Sequence, residues 1–531
     1  MRKILPALGV LALPLVILGA VNDPVRLDSG PISGAAGKDP AVRVYKGIPF
    51  AAPPVGNLRW SPPKPVAHWD AVRRATEFGS LCMQAAAGGG RGKAGGPGDG
   101  KGKAQNTGPR IAPNISEDCL YLNVWTAAAS PSERRPVMVW IHPGGYTSGS
   151  GSGPGYDGEA LAKKGVVLVT INYRLGIFGF FSHPELTQES DRRGAGNFAF
   201  MDQTAALEWV QRNIAQFGGD PKRVTVFGNS AGASSISNLV ASPRTKGLFQ
   251  RAASQSGAWL GLSVGPMRTL AQAEEAGLKT AESILGKEGA HSIADLRAKP
   301  ADEVLRAGRG GGPVIDGWFL PQDPATIFAQ GEQNDVPMLL GSNKDEGTFF
   351  LQTTTAAAFK EREQRRFGDS ADAFFKVYPA NTDAEADASQ FAAFRDELGF
   401  VMRNWANAQT KTGKSKVYLY YFTHEPPSAG AGARGSGATH GSEAQYVFGN
   451  LVGNRPWTDV DREVSTTMSS YWVNFATTGD PNGKGLPRWP SYDARKSDRP
   501  LVLGDKAEVG PEPNAGQVAF FQAWYDKLHA R

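Results

Sequence analysis

The stretch T-V-F-G-N-S-A-G-A-S-S, residues 225–235, sets one serine between two glycines at the end of an apolar, β-branched run and directly before a helix-like segment. Val224, Val226 and Phe227 read as a buried strand and Ala231 to Val240 as a helix, so the chain must reverse sharply at Ser230. With 65 glycines among 531 residues, G-x-S-x-G is expected by accident on the order of half a time, so the pattern alone says little. Its strand–turn–helix context says more, because a serine on such a turn is held out of the end of a sheet as a nucleophile. Gly228 and Gly232 would let the backbone pass its neighbours without a Cβ in the way.

Outward from this turn the alternation of patterns continues. VMVWIH (137–142), VVLVTINY (166–173), MLLG (338–341) and VYLYYF (417–422) read as further strands, joining VTVF (224–227). Asp202 to Phe217 reads as a helix with Ala206, Val210, Ile214 and Phe217 on its apolar face. Continuous apolar strands separated by helices predict an α/β fold: a mostly parallel central sheet flanked by helices, with an N-terminal β-hairpin region. No linker or internal repeat divides the chain, so residues 21–531 read as a single domain. Gly-rich stretches at 88–110, 308–312 and 428–438 read as mobile surface loops. The first carries Arg91, Lys93, Lys101, Lys103 and Arg110, but lacks the spacing and the strand-to-helix context of a phosphate-binding loop.

Hydrophobic residues make up 40% of the chain, ample for a core, and the formal charge of +6 is mild for this length. No helix carries a dense basic stripe interleaved with aromatics, which argues against a nucleic-acid partner. Arg2 and Lys3 precede the apolar run ILPALGVLALPLVILGA (4–20), which ends on the small residues Gly19 and Ala20. Residues 1–20 therefore read as a secretory signal, placing the protein outside the cell or in the periplasm. An uncleaved anchor is the alternative, because Ile17 and Leu18 make the cleavage site less clean. No later stretch is long and apolar enough to span a bilayer. In an exported chain the two cysteines, Cys82 and Cys119, read as a disulfide rather than a metal site, although two buried thiols would also fit. Closing that loop would stabilise the fold by about 4 kcal/mol in the chain-entropy account.

A serine nucleophile needs a base, an acid that orients the base, and donors for the developing oxyanion. The loop I-H-P-G-G-Y-T-S-G (141–149) follows a strand, and the N–H groups of Gly144 and Gly145 with that of Ala231 would form the donor set. In G-S-N-K-D-E-G-T-F-F (341–350), Asp345 and Glu346 are adjacent after a strand, and one of them would orient the histidine. If the histidine comes last in the chain, the candidates are His424, His440 and His529. His529 is two residues from the C-terminus, and His424 ends a strand, which suits packing or capping. His440, on the Gly-flanked loop G-A-T-H-G-S-E (437–443), is best placed to reach across the sheet top.

Taken together, these residues resemble the type B carboxylesterase family, α/β-hydrolases that include cholinesterases and bacterial para-nitrobenzyl esterases. The resemblance rests on YKGIPFAAPPVGNLRW (45–60), SEDCLYLNVW (116–125), HPGGY (142–146), GNFAFMDQTAALEWVQRNIAQFGGDP (196–221), GNSAGASS (228–235), PVIDGWFLP (313–321), NKDEGTFF (343–350), THGSEAQYVFG (439–449) and YWVNFATTGDPN (471–482). It implies an α/β-hydrolase fold with Ser230 as nucleophile, Glu346 rather than Asp345 as acid, and His440 as base. It further implies Gly144, Gly145 and Ala231 as oxyanion donors, a Cys82–Cys119 disulfide, and neither metal nor organic cofactor. The implied activity is hydrolysis of small carboxylic esters through an acyl-enzyme. The same site could serve amides, lactones or carbonates, and a relative lacking catalysis would be a binding protein; here the triad is complete.

Two departures matter. Pro143 stands where the family usually has the first glycine of its donor loop, a position without a donor role, so the loss of an N–H should be harmless. Asn229 stands beside the serine where glutamate is usual, which should remove a negative charge near the substrate and alter selectivity. The disulfide loop also holds no aromatic residue and five of its side chains are basic, so the enzyme is expected to prefer neutral esters over choline esters. Aromatics elsewhere, such as Tyr146 or Trp318, could still line the pocket, so that expectation concerns cation preference and not apolar binding.

Overall fold

The computed structural model describes residues 23–529 apart from 86–113, 192–194, 261–265, 309, 429–436, 454, 494, 496–498 and 512–513. The N-terminal segment 1–20, the basic stretch 88–110 and most of the stretch 428–438 thus lie outside the described residues.

Eleven strands build the principal sheet. In chain order they are β1 (Ala35–Ala36), β2 (Arg43–Pro49), β3 (Tyr121–Thr126), β4 (Arg135–Ile141), β5 (Val167–Ile171), β6 (Gly219–Asn229), β7 (Arg251–Gln255), β8 (Met338–Asn343), β9 (Val417–Phe422), β10 (Leu501–Leu503) and β11 (Ala507–Val509). Their spatial order is β11-β10-β9-β8-β7-β6-β4-β5-β3-β2-β1. From β5 to β10 all neighbours are parallel, while β3, β2, β1 and β11 pair antiparallel at the two edges. The N-terminal hairpin expected from sequence is present: β1 and β2 pair antiparallel, and Val25–Arg26 pairs antiparallel with Pro31–Ser33 in a small separate sheet.

Most central strands carry apolar runs because both faces are covered, β7 with R-A-A-S-Q being the exception. In β4, Val137, Val139 and Ile141 enter one core, and Met138 and Trp140 the other. The helices Phe198–Asn213, Ala231–Ala241 and Asp383–Thr412 cover the first face, and Asp459–Thr478 covers the second with Val464, Met468, Tyr471, Trp472 and Phe475.

The helix expected over 202–217 starts four residues earlier, at Phe198, and its last turn tightens into a 3₁₀ segment, Ile214–Phe217. Gly218 stops it with φ of 78°, a left-handed conformation that glycine adopts without a Cβ penalty. All four residues expected on the apolar face are buried, and so are most others, because this helix lies between the sheet and further chain.

Topology decides where a ligand can sit. The chain passes from β4 outward to β5 and then returns to the other side of β4 to form β6, so the strand order reverses between β4 and β6. In open α/β sheets the crevice beyond the carboxyl ends of the strands at such a reversal is the binding position. The donor loop after β4 and Ser230 after β6 both lie there.

Candidate active site

The reversal at Ser230 is as sharp as the sequence required. Its φ of 57° and ψ of −120° lie outside the regions that L-residues favour, a strain costing about 1–3 kcal/mol. Surrounding structure holds it there: the Ser230 N–H donates to the Gln255 carbonyl at 2.9 Å, and the Ser230 carbonyl accepts from the Ser234 N–H at 2.8 Å. A Cβ on Gly228 would stand 2.7 Å from the Ile141 oxygen, and one on Gly232 only 2.0 Å from it. These two glycines let the turn press against the end of β4, which brings the serine beside the loop that follows.

That loop is a tight turn. The Thr147 and Ser148 N–H groups both donate to the Gly144 carbonyl, and Gly144 and Gly145 have φ of 127° and 60°. Gly145 and Ala231 line one cavity with Ser230; Gly144 lies one residue back in the turn. Pro143 fits without an N–H, and its carbonyl is bonded to the His142 Nδ1 at 2.8 Å. The His142 ring stacks on Tyr173 at 4.3 Å, and burial lowers its pKa to about 4, so it stays neutral.

At the end of β8 the adjacent carboxylates separate. Glu346, fully buried, accepts from the Asn343 N–H at 2.7 Å through Oε1 and meets the His440 Nδ1 at 2.6 Å through Oε2. Asp345 instead accepts from the Ala438 N–H at 2.8 Å, and its own N–H donates to the Ala438 carbonyl at 3.0 Å. Asp345 thus ties down the loop that carries His440, and Glu346 touches the ring. Burial alone would lower the His440 pKa; the Glu346 charge and hydrogen bond, aided by Glu443, outweigh it and leave the value raised above 6.5. The His440 Nε2 is buried and has no hydrogen-bond partner among the described residues, the Ser230 Oγ included, although both residues line the same cavity. Catalytic contacts of this kind are often loose before substrate binds.

The cavity has a volume of about 390 Å³. Phe350 stands beside His440, its ring 4.7 Å from the imidazole and 5.6 Å from the Phe394 ring, and Leu398 lines the cavity with them. Tyr146, Phe180, Trp259 and Gly310–Gly312 form the remaining wall. Tyr146 lines it, as the sequence allowed; Trp318 is not in the wall but lies under the Arg244 guanidinium, and Trp259 takes the aromatic position. Gly310 and Gly311 are exposed, as a surface loop should be, yet they also shape the pocket.

Two findings were not read from sequence. Glu443, three residues after His440, is fully buried and accepts from the Asn229 and Gln255 side-chain amides at 3.0 Å each. Burial, and then the Glu346 charge, raise its pKa. Asn229, expected from sequence only to remove a negative charge near the substrate, faces this buried carboxylate as a donor and is not among the residues lining the cavity. The signal was present in T-H-G-S-E, but an acidic residue after a loop histidine is ordinarily solvated surface. Cys82 and Cys119 form the expected disulfide.

Comparison with known proteins places this geometry in a family. Residues 22–521 match the carboxylesterase family. The chain is 38% identical over 513 residues to the fumonisin B1 esterase of Sphingopyxis macrogoltabida, covering 92% of this chain and 88% of that protein. It is 32% identical over 560 residues to human cocaine esterase, covering 98% and 96% respectively. Among solved structures, a PNB esterase superposes with a TM-score of 0.77 at 32% identity, covering 93% of this chain and 99% of that one. A match across nearly the whole chain, in sequence and in fold alike, means that the protein belongs to the carboxylesterase family, hydrolases of carboxylic esters.

Proposed function

We propose that the protein hydrolyses uncharged carboxylic esters by an acyl-enzyme route through Ser230, His440 and Glu346. The observation that carries this reading is the His440 ring, anchored at Nδ1 by buried Glu346 and uncommitted at Nε2, in the same cavity as a serine on a strained turn. His440 Nε2 takes the Ser230 Oγ proton as Oγ bonds to the ester carbonyl carbon, and the carbonyl electron pair moves onto oxygen. The N–H groups of Gly144, Gly145 and Ala231 receive that oxyanion. When the intermediate collapses, the bond to the alcohol oxygen breaks and His440 returns the proton to it. Water, deprotonated by the same nitrogen, then bonds to the acyl carbon, the bond to Oγ breaks, and His440 returns the proton to Ser230 as the acid leaves. Glu346 fixes the ring and stabilises the imidazolium without taking its proton.

Because His440 must protonate the departing oxygen, the alcohol part lies toward Phe350, Phe394 and Leu398, and the acyl part toward Tyr146, Trp259 and Gly311. The relatives' names give two different substrates, fumonisin B1 and cocaine, so the ester class rather than a single substrate is assigned. Export is the reading for location. It is supported by the signal-like residues 1–20, by the disulfide, and by no helix among the described residues being long and apolar enough to cross a membrane.

Ser230→Ala tests the assignment, since it removes one oxygen from a partly exposed side chain. Turnover and labelling by an organophosphate should both disappear, with residual catalysis about 10³–10⁴-fold over water. Labelling that persists in a folded variant would move the nucleophile elsewhere.

A further inference from the structure

The donor turn is held from below by residues that touch neither the serine nor the histidine. Gln84, buried two residues beyond Cys82, meets Gly149 with both ends of its carboxamide. Its Nε2 donates to the Gly149 carbonyl at 3.0 Å, and its Oε1 accepts from the Gly149 N–H at 2.9 Å. The same Nε2 donates to the Cys82 carbonyl at 3.1 Å. Gly149 in turn lies against the start of the donor turn: with φ of 108°, its Cβ would stand 2.4 Å from the Pro143 oxygen and 2.5 Å from the His142 Nδ1. A Cβ on Gly144 would come 1.9 Å from the Ser148 oxygen. Two stretches packed this closely cannot shift independently.

A second amide repeats the arrangement. The Asn172 Oδ1 accepts from the Gly151 N–H at 2.8 Å, while its Nδ2 donates to the Ser80 carbonyl at 3.0 Å and the Cys119 carbonyl at 3.2 Å. Each half of the disulfide therefore reaches the exit of the donor loop through one side-chain amide.

We infer that Gln84 is a positioning residue that holds the oxyanion donors in register with Ser230, and that the Cys82–Cys119 disulfide acts on turnover by holding Gln84. The inference rests on the reading of Gly144, Gly145 and Ala231 as donors. Only a side chain with a donor and an acceptor can satisfy both backbone groups of Gly149; a carboxylate in its place would set oxygen against the Gly149 carbonyl. Misplacing a donor by about 1 Å costs on the order of 10²-fold in rate and leaves ground-state binding little changed.

The test uses the full chain and two inhibitors of one skeleton: a trifluoromethyl ketone, which serine converts to a hemiketal oxyanion, and the corresponding secondary alcohol, which cannot react. In Gln84→Ala and Gln84→Glu, kcat should fall by roughly 10–100-fold with KM nearly constant. Affinity for the ketone should fall by the same factor and affinity for the alcohol should hold. Serine at both Cys82 and Cys119 should reproduce the loss of ketone affinity, and adding Gln84→Ala to that pair should cost little more. A folded Gln84 variant, with its melting temperature near that of the parent, that binds the ketone normally overturns the positioning role. Fully additive losses overturn the link to the disulfide. A parent enzyme that binds ketone no better than alcohol overturns the donor reading itself, and this inference with it.

Discussion

Two histidines follow β9, His424 buried and His440 partly so, and each contacts a carboxylate. His440 uses Nδ1 on Glu346 and leaves Nε2 uncommitted toward the cavity. His424 commits both nitrogens: Nδ1 meets Asp505 at 2.7 Å and Nε2 meets Asp461 at 3.0 Å. Asp461 also accepts from the Tyr446 hydroxyl and from Thr458, whose side chain caps the helix Asp459–Thr478. For Asp461, burial alone would raise the pKa, but the hydrogen bonds from Thr458, His424 and Tyr446 bring it down to about 2. Burial and a carboxylate therefore do not make a histidine reactive; a ring nitrogen left for substrate does. His424 joins a strand end to a helix start, and His440 joins an acid to a cavity.

Breaking each histidine should give opposite phenotypes. His440→Ala should lower kcat on the order of 10⁵-fold with little change in thermal stability. His424→Ala should leave kcat close to the parent value but cost about 2 kcal/mol in a denaturant titration, since buried Asp461 loses a donor. Equal kinetic losses in both variants would erase the distinction. Glu346→Gln should lower kcat on the order of 10⁴-fold, because an amide neither fixes the same tautomer nor stabilises the imidazolium.

The acid limb of the rate profile sharpens the contrast. On the proposed mechanism catalysis needs neutral His440, whose pKa is raised above 6.5, so kcat/KM should reach half its plateau at a pH above 6.5 and fall as pH drops. In Glu346→Gln burial acts with its main opponent removed, so the limb of the residual activity should move to lower pH. An unmoved limb would mean that another group titrates.

The smallest effect expected concerns substrate charge. Among the described residues no Asp or Glu lines the cavity, and the side near His440 presents Phe350, a weaker cation partner than tryptophan. Butyrylcholine should therefore gain at most about threefold in kcat/KM over 3,3-dimethylbutyl butyrate. A large advantage for the cation would sink this expectation.

Much of the site was legible because its chemistry is local in the chain. G-N-S-A-G needs its glycines for close approach to β4, H-P-G-G needs its own for a tight turn, and T-H-G follows a strand end. Five of the parallel strands were legible because a sheet covered on both faces favours apolar runs, whereas the central strand β7, Arg251–Gln255, was missed because R-A-A-S-Q is no apolar run. Asp345 and Glu346 were harder to separate by residue type alone, since adjacent carboxylates look alike until the backbone points one at the Ala438 N–H and the other at His440. The first turn of the helix Phe198–Asn213 escaped because its residues are buried on more than one side, which blurs the helical period.

By itself the sequence determined the class of fold and the cysteine pair, and it singled out the serine, the loop histidine and the glycines of the proposed site, each through a short-range requirement of spacing or backbone freedom. Tertiary structure alone decided that Asn229 faces buried Glu443 rather than substrate, that Gly310–Gly312 and Trp259 wall the cavity, and that Gln84 underpins the donor loop. Those contacts join residues far apart in the chain, and which of many polar or small side chains meet is set by how the strands and loops pack, a relation that no local pattern encodes.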